Sequence, residues 1–147
     1  MAIRNVVQVG NEILRKKSKV VKEFDEKLWI LLDDMKETMR KNDGCGLAAV
    51  QVGILKRVVV LDVNNMYIEL VNPEIINTDG EVCEKEGCLS CKGQVGFVKR
   101  PKEVTVQAYD RFGNEIIITG KGLLARAFCH EIDHLDGILF VDKIVKK

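Results

Sequence analysis

The sequence has little histidine, proline or aromatic side chain: two His, two Pro and 5% aromatics in 147 residues. Scarce proline and evenly spread glycine leave nothing that marks a linker, and the length suits one folded unit, so residues 1–147 are expected to form a single domain. A chain this long can bury roughly 68–70% of its unfolded surface without disulfide staples. Long apolar runs are also missing. No stretch approaches the roughly 20 apolar residues of a membrane span, and the first twenty residues hold no apolar block suited to a signal peptide. A cytoplasmic protein with no membrane association is therefore expected. Charge of one sign is not in excess: the net value is +1, which excludes the broad basic field that nucleic-acid binding uses. The small basic groups Arg15-Lys16-Lys17-Ser18-Lys19 and Lys143, Lys146, Lys147 read as solvated surface. In a reducing compartment the five cysteines, Cys45, Cys83, Cys88, Cys91 and Cys129, read as thiols that pack or bind metal, not as a disulfide framework.

What is present falls into helix, strands, helix. Residues 25–41 place Leu28, Leu31, Leu32, Met35 and Met39 at helical spacing, with Asp25 as cap and Asn42-Asp43-Gly44 as stop. Residues 56–63 are rich in β-branched side chains, residues 66–72 end at Pro73, and residues 94–99 and 103–109 alternate apolar with polar. Residues 115–118 follow the turn Asp110–Asn114, which predicts a hairpin. Thr119 can then cap a second helix running through about Leu135, with Gly137 as its stop. Strands between two helices, not alternating with them, argue for an α+β fold. Mostly antiparallel sheets would pack around a buried central helix, with an N-terminal amphipathic helix beside them.

Both histidines lie on that second helix, in His130-Glu131-Ile132-Asp133-His134. This is the HExxH pattern, in which residues i and i+4 point the same way and can reach one metal ion. Glu131 beside them is placed to act as general base on water activated by the ion. The helix is apolar elsewhere, so these polar groups are costly unless satisfied. Only thirteen residues follow His134, and Phe140 stands where a third histidine would fall in HExxHxxGxxH. The third ligand must be an upstream Asp, Glu or Cys. Cys88-Leu89-Ser90-Cys91 is the conspicuous candidate. Both thiols with both histidines would close a structural Cys2His2 site, yet thirty-eight residues separate Cys91 from His130, against about 12–15 in a zinc finger. One thiolate would leave an open, catalytic position. A nucleophilic Cys88 with a histidine base, or a general metallopeptidase, are further readings of the same residues. The small side chains of residues 43–53 suit a close backbone approach to a ligand, or simply a tight turn.

Three motifs stand in order: Gly44-Cys45-Gly46-Leu47-Ala48-Ala49-Val50-Gln51, Glu86-Gly87-Cys88-Leu89-Ser90 and His130-Glu131-Ile132-Asp133-His134. Together they resemble the peptide deformylase family, which carries GxGxAAxQ, EGCLS and QHExDH in this order and removes the formyl group from the initiator methionine of new bacterial proteins. The resemblance covers nearly the whole chain, including the opening stretch and the pair Arg100-Pro101. It implies Cys88, His130 and His134 as ligands of one divalent ion, natively Fe(II), with Zn, Ni or Co able to substitute. It implies Glu131 as the proton carrier, and Gln51 with the Leu89 N–H as oxyanion donors. A formylmethionyl nascent peptide would lie extended along Gly44, Cys45 and Gly46 and against Gly87. Its methionine side chain would enter a pocket lined by Cys45, Ala125 and Phe128. A monomer with only transient ribosome contact is implied. Three departures stand out. Cys129 occupies the family's glutamine position, Val50 the usual proline, and Cys91-Lys92-Gly93 replace a hydrophobic residue followed by Pro-Gly.

Overall fold

The computed structural model describes residues 2–145; Lys146 and Lys147 of the basic tail lie outside the described residues. The chain begins with an extended segment and one short 3-10 turn, Glu12–Arg15, before helix α1, Glu26–Lys41. Asp25 caps α1: its carboxylate accepts a hydrogen bond from the Leu28 N–H at 3.2 Å, satisfying one of the donors a helix start leaves open. Strands β1 (Gly46–Ala48), β2 (Val58–Val63), β3 (Met66–Asp79), β4 (Val82–Glu86), β5 (Gly96–Arg100), β6 (Glu103–Tyr109) and β7 (Glu115–Lys121) follow. Helix α2 (Leu123–Leu135) and a two-residue strand β8 (Ile144–Val145) come last, and two further 3-10 turns lie at Ala49–Val52, after β1, and Phe140–Lys143, after α2.

The strands form two sheets, one ordered β1-β2-β3-β6-β7 and one ordered β4-β5-β8. All pairings within them are antiparallel. The larger sheet is buried on two faces. Val59, Leu61 and Val63 of β2 pack toward α2, in a cluster with Ala125, Phe128, Ile132 and Leu135. Val58 and Val60 pack toward α1, with Leu28, Leu32, Met35 and Met39. A strand covered on both sides reads as a continuous apolar run, which is why residues 58–61 show no alternation. α2 contacts all five strands of the larger sheet and β5 of the smaller one. The helix that carries both histidines is thus held between the sheets.

The structure differs from the sequence expectations in three places. Strand β3 does not stop at Pro73 but runs on to Asp79. Pro73 falls in the register shift between Val71 and Glu74, where no ladder hydrogen bond is demanded of it. Thr119 does not cap α2: it belongs to β7, and its hydroxyl hydrogen-bonds that of Thr105 across the hairpin at 2.8 Å. α2 starts instead after Gly122, which has φ 60° and offers no side-chain cap. Strand β4 had no expectation at all, since Val-Cys-Glu-Lys-Glu carries almost no β signal; its pairing with β5 from Val82–Arg100 to Glu86–Gly96 makes it a strand.

Candidate active site

β4 delivers Glu86 and the turn after it delivers Cys88, while α2 presents His130 and His134 one helical turn apart. The Cys88 Sγ lies 3.3 Å from His134 Nε2, and the ligating atoms of Cys88, His130 and His134 lie within 4.8 Å of one another. The two imidazoles meet edge to face, with ring centroids 5.0 Å apart. Burial holds His134 well below its ordinary pKa and so neutral, the form that binds metal. Its Nδ1 is buried without a hydrogen-bond partner. Cys91 is buried among Leu14, Val98, Leu139 and Phe140 and is not one of the three clustered donors. The donor set therefore fits one divalent ion bound by two imidazoles and one thiolate.

Behind the ligands lies a buried ionic network. His130 Nδ1 is 2.8 Å from Glu86 Oε1, which leaves Nε2 for the ion. This carboxylate-histidine arrangement orients a metal ligand and raises its basicity. Glu86 accepts two bonds from Arg100, at 2.9 and 3.0 Å, and another from Arg126. Arg100 also reaches Asp133 at 2.7 Å. Burial alone would push the Glu86 carboxyl up, but hydrogen bonds from His130 and Arg100 outweigh it and hold it at about 2. Arg126 further donates to the carbonyls of Val98 and Val82, each at 3.1 Å, tying α2 to β4 and β5.

In front of the ligands opens a pocket of about 350 Å³. Glu131 lies on its wall, 4% exposed. One of its carboxylate oxygens has no hydrogen-bond partner, and burial pushes the group up to about 7. A cation held by the neighbouring ligands would pull it down again. Gly46 faces this carboxylate: a Cβ there would sit 2.6 Å from Glu131 Oε2 and 2.8 Å from Leu61. A side chain at position 46 would force Glu131 and Leu61 aside, so glycine lets β1 pass this close to the carboxylate. Gly44, Cys45, Gly87 and Leu89 also line the pocket. Gln51 is fixed by three contacts: Oε1 accepts from the Ala48 N–H at 2.9 Å, and Nε2 donates to Ser90 Oγ at 3.1 Å and Cys88 Sγ at 3.4 Å. The Leu89 N–H takes part in no hydrogen bond among the described residues.

Two of the expected pocket residues are elsewhere. Ala125 and Phe128 are fully buried in the core between α2 and the larger sheet. The helix wall of the pocket consists of Leu123, Arg126, Ala127 and His130 instead. The reason is helical phase: positions 123, 126, 127 and 130 share the face that bears the histidines, and 125, 128 and 132 share the opposite one. Sequence reasoning also missed the partner roles of Glu86 and Arg126. The available signal was two charged residues, Glu86 two positions before Cys88 and Arg126 four positions before His130, the latter in a helix otherwise destined for burial.

Residues 3–147 match the family model described as polypeptide deformylase. A peptide deformylase of Caldicellulosiruptor bescii is 59% identical over 146 residues, spanning 99% of this chain and 88% of that one. The chain belongs to the polypeptide deformylase family. A crystal structure of a peptide deformylase from Legionella pneumophila has a TM-score of 0.95 at 47% identity, covering 98% of this chain and 87% of that one. A peptide deformylase from Ehrlichia chaffeensis, solved in complex with actinonin, has a TM-score of 0.95 at 40% identity, covering 99% and 91%. The fold is accordingly the mixed deformylase fold of antiparallel sheets and two helices. Membership makes the chain a metal-dependent hydrolase with peptide deformylase activity, and the Cys88, His130 and His134 cluster is its candidate metal site.

Proposed function

We propose that the chain hydrolyses the formyl amide of N-formylmethionyl nascent peptides, with residues 1–147 acting as one catalytic domain. The observation that carries the assignment of roles is the buried Glu131 carboxylate, one oxygen of which has no hydrogen-bond partner, on the wall of the pocket that Cys88 and His130 also line. Cys88, His130 and His134 would hold the ion, which we take to be Fe(II), with Zn, Ni or Co as substitutes. When bound, the ion supplies Lewis-acid activation of water and polarisation of the formyl oxygen. Glu131 takes a proton from the attacking water as oxygen adds to the formyl carbon, then gives it to the amine nitrogen as the C–N bond breaks. Formate and a free amino terminus leave. The Leu89 N–H, which takes part in no hydrogen bond among the described residues, stands as one donor for the developing oxyanion, and the Gln51 amide, held by Ala48 and Ser90, would be the other by turning its remaining N–H away from the Cys88 sulfur.

The substrate would lie extended between Gly44-Cys45-Gly46 and Gly87, adding a strand that reads backbone more than side chain. The methionine side chain would enter between Cys45 and the α2 face of Leu123 and Ala127. Among the described residues no helix is long and apolar enough to cross a membrane. The proposal includes a cytoplasmic monomer that contacts the ribosome only transiently. The test is formate release from formyl-Met-Ala-Ser by protein loaded anaerobically with Fe(II). Formate from the intact protein, with none from a chelated sample or from Glu131→Ala, is the expected result. One bound metal per chain with no formate would sink the assignment.

A further inference from the structure

We propose that Cys88 and Cys91 form a reversible oxidative modification site, in which a hydroperoxide converts the metal-binding thiol into one half of a disulfide. This rests on the assignment of Cys88 as a ligand. Cys91 is fully buried, contributes no atom to the clustered donors, and has no part in the hydrolysis described above. Cys88 packs against the small apolar cluster that holds Cys91. The backbone already brings the two together: the Cys91 N–H donates to the Cys88 carbonyl at 3.1 Å, closing a turn over Leu89 and Ser90. Such a turn keeps the first and fourth Cα atoms within about 7 Å, and disulfides need roughly 4.4–6.8 Å. Little backbone movement separates the pair from a bridge.

The two thiols differ in access. Cys88 lines the open pocket, where a small oxidant can arrive. Three groups lie against its sulfur: the Ser90 N–H at 3.4 Å, the Gln51 amide at 3.4 Å and His134 Nε2 at 3.3 Å. Cys91 sits behind it among Leu14, Val98, Leu139 and Phe140, shielded from direct attack. The step then balances as follows. The Cys88 sulfur attacks one peroxide oxygen, the O–O bond breaks, and the second oxygen leaves as water or alcohol. The Cys91 sulfur attacks the resulting sulfenic sulfur, the S–S bond forms, and the hydroxyl leaves as water with the Cys91 proton. Two thiols give up two electrons and one peroxide accepts them. A dithiol reverses the bridge by exchange. The bridge takes away the thiolate ligand, leaving two imidazoles that hold a divalent ion poorly. It also stops Cys88 from advancing to the irreversible sulfinic acid.

The experiment uses protein loaded with Zn(II), a redox-inert ion, and titrated with hydrogen peroxide. Disulfide peptides are mapped by mass spectrometry after alkylation, and released metal is followed with a chromogenic chelator. The expected result is a Cys88–Cys91 bridge, loss of the one bound ion per chain, and recovery of both thiols and of metal binding after dithiothreitol. Cys91→Ser should bind metal normally and lose it on oxidation, with Cys88 carried to sulfinic acid and no recovery. Cys129→Ser, a buried thiol elsewhere on α2, should behave as the unaltered chain. Alkylatable Cys91 alongside oxidised Cys88 would overturn the proposal, as would full recovery by Cys91→Ser. Because thiol mapping and metal release do not depend on turnover, a failure of the deformylation assignment would be seen separately.

Discussion

The two helices of this fold solve opposite problems. α1 buries one stripe, Leu28, Leu31, Leu32, Met35 and Met39, together with Asp34 and Thr38, and leaves Glu26, Lys27, Glu37 and Lys41 exposed. It starts on a side-chain cap from Asp25. α2 buries eleven of its thirteen residues, among them Arg126, His130, Glu131 and His134, and starts on Gly122 with no cap at all. Local rules account for most of α1, where only Asp34 and Thr38 need the distant Ala2 and Arg4, whereas α2 depends on partners supplied by β4, β5 and the turn at Cys88. The difference teaches where chemistry resides here: on the helix whose polar groups no local interaction can satisfy.

That contrast can be broken most sharply at Glu131. Glu131→Gln should lower kcat by about 10²–10⁴ or more while leaving the melting temperature unchanged or raised, since a buried carboxylate with an unpartnered oxygen is removed. Formate release and calorimetry on one preparation would check it. Glu86→Ala should damage both properties. It strands Arg100 and Arg126 without their shared carboxylate, which costs about 3–5 kcal/mol for a broken buried pair. It also frees His130 Nδ1, with about 10–100-fold weaker metal binding in a chelator competition. Met35→Ala on α1 should cost about 2–5 kcal/mol in urea unfolding, with formate release per folded, metal-loaded molecule untouched. A large fall in activity there would mean that α1 is not the purely structural helix described.

Asp25→Ala is the smaller probe of the same idea, expected to cost about 1 kcal/mol through the lost cap. The smallest effect is a pH dependence at Asp34. Burial would raise this carboxyl, but the Ala2 N–H at 2.8 Å and Arg4 at 3.0 Å hold it below the ordinary value of 3.8. A depressed folded pKa means that its stabilisation is complete above the ordinary value and fades as pH falls through the folded one. Asp34→Asn should therefore lower the melting temperature at neutral pH and make no difference in strong acid. An equal loss at both ends would show that packing, not charge, is what Asp34 contributes.

Much of α1 was legible because its determinants are neighbours in the chain: a cap, a periodic stripe and a stop lie within twenty residues. The hairpin at Asp110 was legible for the same reason, as its carboxylate accepts from the N–H groups of Phe112 and Asn114 at 2.9 and 3.0 Å. The three motifs were legible as resemblance, and their order along the chain carried the family. β4 was not legible, because only its partner β5 makes a strand of such a polar segment. Nor could the run through Pro73 be read, since a bulge is a property of two strands. The assignment of Ala125 and Phe128 to the pocket failed because helical phase, readable from the two histidines, was not applied: both residues lie on the opposite face of α2.

By itself, then, the sequence determined the chemistry on offer: two imidazoles at helical spacing, a carboxylate between them and a thiol pair upstream. Only the tertiary structure decided how those groups are used. It brought Cys88 to His134 across forty-six positions, anchored His130 on Glu86 across forty-four, and left Cys91 outside the clustered donors. Side-chain identity is fixed locally, whereas coordination, burial and the pairing of charges are properties of groups that meet only when sheets and helices close around them.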